Sequence, residues 1–280
     1  MPTWYVRPDT SHNVTRDGTS YATAWGGWSE IPWGTTLFST TIQHTVYVCG
    51  NHTYNSSIAI SNTGSTAVNP TIIRGDYAPS PGVITFTNAT LGNRLYSASK
   101  KFSQTLNLTI ISGNLYFGYN VNAGNDIVIS GCNFYPLPSD SAITIDGSQV
   151  NSSYSNLTIS NNYCSGGAKF LSWYCDQVSG AGYSNVTNLA ISNNRVVNLQ
   201  DSAIEIRNTS RVDKTNCYVR GLSITGNNFD KVGQGTSGLF LRVDVSAGLY
   251  PSQSYGCVVT DNNFNQAGYL SANDTLGGIG

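Results

Sequence analysis

Apolar and polar residues alternate over short runs along most of the chain, and the runs are cut off by asparagine, glycine or proline. Alternation with a period of two marks a strand with one buried and one wet face. In LAISNNRVVN, residues 189 to 198, Leu189 and Ile191 are apolar around Ala190 and Ser192, two asparagines interrupt, and Val196 resumes the apolar side. Nearly the same phrase returns as IISGNLY (110 to 116), VISGCNF (128 to 134), TISNNYC (158 to 164), AISNNRV (190 to 196), SITGNNF (223 to 229) and VVTDNNF (258 to 264). With Ile111, Ile129, Ile159, Ile191, Ile224 and Val259 as anchors, the steps are 18, 30, 32, 33 and 35 residues. Three residues after each anchor stand Asn114, Cys132, Asn162, Asn194, Asn227 and Asn262. A second alternating strand follows in SAITID (141 to 146), SAIEIR (202 to 207) and SGLFLRVD (237 to 244).

Each repeat thus predicts strand, bend, short strand, turn, strand and a variable loop. One such repeat cannot bury its own apolar face, so successive repeats must stack and pair in parallel. Equivalent side chains then recur about every 4.8 Å. Asparagine tolerates the tight or left-handed backbone of a bend, and its amide can donate to the next coil and accept from the previous one. The row therefore reads as a structural ladder. Residues 46 to 86 carry VYVCG, SIAIS, TIIRGD and VITF, enough for one or two earlier coils. About eight coils would make a rod about 40 Å long, with loops 208 to 220 and 245 to 256 projecting from its sides.

Only 10% of residues are charged and the formal net charge is -1, which gives no basic field for a nucleic acid. Residues 1 to 15 hold no basic and apolar leader, and no run of 18 apolar residues occurs, so neither a signal peptide nor membrane insertion is expected. The six cysteines fit neither zinc-site spacing nor a disulfide scaffold and are expected to be buried free thiols.

The phrases YVRPDT (5 to 10), RDGTSYATAW (16 to 25) and TVYVCGNHTY (45 to 54), with the later LTISNN and SAIEIRN, resemble the right-handed parallel β-helix, or pectin-lyase-like, superfamily. The resemblance covers almost the whole chain and implies a single-stranded solenoid, with residues 1 to 40 as an N-terminal cap and 41 to 280 as the helix. Trp4, Trp25, Trp28 and Trp33 would cover the open coil end, or alternatively offer a sugar-stacking platform. The chain stops at TLGGIG within a coil, so a partner chain or a further C-terminal region should cover that end. Phage tail spikes, which the pattern resembles, associate as trimers; an extracellular or virion-associated location is then expected.

The expected chemistry lies on the strand after the asparagines. Aligning Ile143, Ile204 and Leu239 puts Thr144, Glu205 and Phe240 in one outward column and Asp146, Arg207 and Arg242 in the next, with Asp244 following. The segment KFLSWYCD brings Lys169, Trp173, Tyr174 and Asp176 nearby. Acids, arginines and aromatics on one wet face suit a polysaccharide groove, and equally a solvated charge ladder. Hydrolysis needs two carboxyls at defined separation, for which Asp146, Asp176, Glu205 and Asp244 are the candidates. Trp173, Tyr174, Arg207, Phe240 and Arg242 would bind the glycan. Lyase chemistry would use an arginine, as Arg207 or Arg242 resembles, beside calcium-binding aspartates; calcium enters only through the resemblance, and no metal set or cofactor motif is evident. Asp140 and Asp201, which recur in DSAI, read as turn caps. His12, His44 and His52 are too scattered for a metal set or a triad. The competing expectation is a non-catalytic structural or receptor-binding β-helix.

Overall fold

A computed structural model describes residues 1–8, 15–33, 35–38, 41–60, 69–88, 93–97, 103–117, 123–147, 152–174, 183–208, 216–233, 241–245 and 253–265. The described chain is all-β, with two single-turn 3-10 segments at Trp28–Glu30 and Thr36–Phe38. Three sheets of eleven, eight and seven strands contain parallel pairs throughout. Their strands alternate in a fixed order. After Ser152–Ser160 in the first sheet the chain enters the second at Tyr163–Ser165 and the third at Lys169–Tyr174, then returns to the first, one rung further, at Tyr183–Ser192. This is the strand stacking of a parallel β-solenoid, and the period-two pattern explains it, since Leu157, Ile159, Leu189 and Ile191 are buried while the residues between them are half-exposed.

One of the six phrases belongs to a different place in the coil. Ile129 pairs with Ile159, Ile191 with Ile224, and Ile224 with Val259, as the spacing predicts. The partner of Ile129 in the preceding rung is Thr105, whereas Thr109–Ile111 lies in the second sheet opposite Asn133–Tyr135. The step of 18 was therefore a jump between sheets. The true anchor escaped because it is a threonine rather than an aliphatic residue. Asn114 accordingly opens a strand of the third sheet and stands outside the ladder.

The ladder itself runs through Asn162, Asn194, Asn227 and Asn262. Asn194 Nδ2 donates to Asn227 Oδ1 at 2.9 Å and to the Ile159 carbonyl at 2.9 Å, while its Oδ1 accepts from Asn162 Nδ2 and from the Asn162 backbone, each at 3.0 Å. The same bonds repeat at Asn227, and Asn162 Oδ1 accepts from Cys132 N. The bend is made by the residue before: Gly131, Asn161, Asn193, Gly226 and Asp261 all have φ between 55° and 68°. Bending and bonding are thus divided between neighbours. A second left-handed column, Asp126, Asn156, Asn188, Gly221 and Gly256, lies three residues before each anchor. On the surface it carries its own amide chain, with Asn188 Nδ2 on Asn156 Oδ1 and Asn156 Nδ2 on Asp126 Oδ1, both at 3.0 Å.

Within the first 40 residues, Thr3–Val6 is itself the outermost strand of the first sheet. Its other edge is satisfied by residues 18–25: Tyr5 N donates to the Gly18 carbonyl, Trp25 N to the Tyr5 carbonyl and Arg7 N to the Trp25 carbonyl. Trp4, Trp25 and Trp28 are buried in the core, Trp4 and Trp25 stack at 5.4 Å, and Trp33 packs half-buried against them. Three of the four tryptophans are therefore closed to a sugar. Cys49, Cys132 and Cys164 are buried free thiols as expected, whereas Cys257 is exposed. No described helix is long and apolar enough to cross a membrane. The proposed incomplete end at TLGGIG lies outside the described residues.

Candidate functional site

The outer side of the third sheet gathers the expected chemistry, with a register that differs by two residues at its last strand. Ile143 pairs with Leu171, Leu171 with Ile204, and Ile204 with Leu241, not Leu239. A slip of two preserves the in-and-out alternation, so the hydrophobic pattern could not reveal it. One column now reads Tyr96, Tyr116, Thr144, Ser172, Glu205 and Arg242, and the next reads Asp146, Tyr174, Arg207 and Asp244. Arg242 thus moves beside Glu205, and Asp244 beside Arg207. Asp176 and Phe240 lie outside the described residues. Trp173, expected to bind the glycan, belongs to the core column of Ile145 and Ile206 and is 0% exposed, because its position in the strand has core-facing parity.

The column is also drier than a solvated ladder. Thr144, Ser172 and Glu205 are 7%, 0% and 1% exposed. A buried carboxylate is costly unless paired, and Glu205 is paired: Lys169 Nζ lies 3.1 Å from its Oε2 and 2.9 Å from Asp201 Oδ2. The two carboxylate oxygens are consequently no further apart than the sum of those distances. Burial pulls the Lys169 ammonium down, but its hydrogen bond to Asp201 and the charges of Tyr174, Glu205 and Asp201 outweigh this and leave it raised. Asp201 also caps the strand start, its Oδ1 accepting from Ser202 N at 2.8 Å. The Ser172 hydroxyl, in register with Glu205, is buried and meets no hydrogen-bond donor or acceptor among the described residues.

Asp140, the DSAI twin of Asp201, sits two rungs earlier at the same corner, where Ala168 N bonds the Asp140 carbonyl and Asp201 N the Ala168 carbonyl. Here the capping expectation divides. The Asp140 side chain is 8% exposed, and its Oδ2 is buried without a donor among the described residues. Burial raises its pKa, with Arg94 opposing. Further along the outer face, Tyr116 Oη donates a short hydrogen bond to Asp146 Oδ2, Tyr154 Oη donates to the Asp146 carbonyl at 2.8 Å, and the Arg94 guanidinium lies 4.1 Å over the Tyr116 ring. Burial, then the bond to Asp146, pushes the Tyr116 phenol well above its ordinary range.

Of the expected carboxylate pairs, Asp146 and Glu205 are two rungs and two residues apart, about 12 Å between Cα atoms by strand geometry. The pair that does converge is Asp201 with Glu205. Sequence reading held its signal in DSAIE, where the two acids flank one strand start, but Lys169 as their bridge needed the neighbouring rung. Comparison with protein-family models, curated proteins and solved structures found no match. Among the described residues no three His, Cys, Asp or Glu side chains converge on a metal position, and at this corner the Lys169 ammonium contacts both acids.

Proposed function

We propose that the chain is a surface or tail-spike-type β-solenoid that recognises a cell-surface polysaccharide along the outer side of its third sheet. In this reading the coil is right-handed, as parallel strand connections overwhelmingly are, and the kinship is with the pectin-lyase-like superfamily. The observation that carries the reading is the half-buried set Tyr96, Tyr116, Asp146, Lys169 and Tyr174, which stands beside the buried Thr144, Ser172 and Glu205. Rings and charged groups at rung spacing offer a sugar both stacking faces and directed hydrogen bonds. A rod with a purely structural outer face has no need for a buried, ion-paired carboxylate such as Glu205 there.

A second reading, binding without cleavage, is favoured by one feature. Lys169 contacts Asp201 and Glu205 together, which suits a fixed acceptor pair better than an acid poised to give up a proton. Incubation with purified bacterial capsular and lipopolysaccharide preparations tests both. Retention of the polymer is expected; loss of polymer size would add hydrolysis, absorbance of an unsaturated product would add elimination, and neither binding nor cleavage of any preparation would remove the proposal.

A further inference from the structure

We infer that Lys169 and Asp201 become joined by a side-chain amide, a covalent cross-link between adjacent rungs, with Glu205 carrying the protons. This goes beyond glycan recognition and does not rest on it. The three groups that such a bond needs meet at one corner of the third sheet. Lys169 Nζ lies 2.9 Å from Asp201 Oδ2 and 3.1 Å from Glu205 Oε2, and the three side chains are 13%, 22% and 1% exposed. The backbone clamps the encounter from both sides: Asp201 N donates to the Ala168 carbonyl at 2.9 Å and Phe170 N to the Ala203 carbonyl at 3.0 Å. In free solution an amine and a carboxylate stay apart as ions. Groups held in contact reach effective molarities of about 10⁵–10⁸ M, and a corner nearly closed to water withholds the reactant of the reverse step.

The reaction balances on these residues without a co-reactant. Pairing keeps Lys169 an ammonium at rest, so the first event is passage of a proton to Glu205, which replaces two buried charges by a neutral pair. Their contact is an ion pair rather than an aligned hydrogen bond, so a small turn of the Glu205 carboxyl precedes the transfer. Glu205 hands the proton to Asp201 Oδ2, and the Nζ lone pair attacks Asp201 Cγ. Negative charge then gathers on Oδ1, where Ser202 N at 2.8 Å and Ser202 Oγ at 3.2 Å already donate. A second proton moves from nitrogen through Glu205 to Oδ2, the Cγ–Oδ2 bond breaks, and water leaves. Ammonium and carboxylate have become an amide and one water, and Glu205 is again a carboxylate. The twin corner at Asp140 lacks the nucleophile. Leu115 pairs with Ile143 as Leu171 pairs with Ile204, which puts Gly113 where Lys169 stands.

Intact-mass spectrometry of the folded full chain tests the inference. A mass one water below the sequence mass is expected, with a tryptic map in which Lys169 is left uncut and fragment ions join it to Asp201. The full sequence mass would overturn the inference. So would a missing water that maps to Asp17–Gly18 or Asp146–Gly147, where closure onto the next amide also releases water. Lys169→Arg keeps the charge but has no amine to acylate, and should hold its sequence mass. Asp201→Asn should still cross-link to Lys169, losing ammonia in place of water, and absence of that bond in the folded variant would count against the chemistry. Glu205→Gln should stay at its sequence mass with the circular dichroism of the parent. Cross-linking of that variant at the parent's rate, or a parent bond that maps to Glu205 rather than Asp201, would refute the roles assigned. If Glu205→Gln does not fold, the Asp201→Asn map decides.

Discussion

Asparagine does two jobs in each coil, and adjacent residues divide them. Asn193 supplies the left-handed backbone and Asn194 the bonds between rungs. The side-chain bonds predict different mutational outcomes for the two. Asn194→Leu removes four ladder bonds and takes the acceptor from the buried Asn162 backbone N–H, so stability should fall by about 3 kcal/mol in a denaturant titration, with glycan binding of the folded fraction unchanged. Asn193→Gly should be nearly neutral, since glycine takes positive φ without strain. Gly131→Ala is the reverse case: a Cβ there would fall 2.0 Å from Asn107 Oδ1, at φ 68°, and a loss of about 2 kcal/mol is expected in the same titration. The ladder was legible in sequence because the amide recurs at one offset from an aliphatic anchor. Which of the two asparagines bends was not legible, since either residue type tolerates the bend.

Strand identity was easier to read than strand register. Alternation places Ile143 and Ile204 inward, yet a shift by two residues in the next strand leaves that pattern unchanged, so only pairing could choose Leu241 over Leu239 as the partner of Ile204. For the same reason IISGNLY looked like a first-sheet repeat, although Thr109–Ile111 pairs in the second sheet. The strand Asn51–Tyr54 carries a pH-dependent element that the sequence left as a scattered histidine. His52 is buried with Nδ1 3.1 Å from Tyr54 Oη, and burial depresses its pKa from 6.5 to about 4. The unfolded chain therefore binds a proton near pH 6.5 that the folded chain refuses until about pH 4. The contribution is intact above 6.5 and is lost as pH falls through that window, on the order of 3 kcal/mol. His52→Phe should flatten the melting temperature between pH 7 and 4 relative to the parent, and an equally steep acid loss in the variant would refute this assignment.

At the scale of the whole molecule, stacking makes neighbours of residues that are about thirty positions apart, and the candidate site is a product of that stacking. Lys169 meets Asp201 and Glu205 only because one rung lies on the next. Lys169→Met would remove the ammonium from a buried carboxylate, so a loss of about 3–5 kcal/mol is expected in a denaturant titration at neutral pH. A loss below about 1 kcal/mol would show that the ion pair is not what the lysine contributes. Local chemistry determined much of this protein from sequence alone. Period-two alternation demanded half-buried strands, their repetition demanded stacking, and the asparagine offset marked the bend. The placement of side chains across rungs was decided by tertiary structure, because loop length and a threonine anchor shift the register without disturbing the alternation. Arg242 was thereby aligned with Glu205, and Asp201 and Asp140, identical in sequence context, were given opposite surroundings: one carboxyl bonded to a lysine, the other with its Oδ2 buried and without a donor among the described residues.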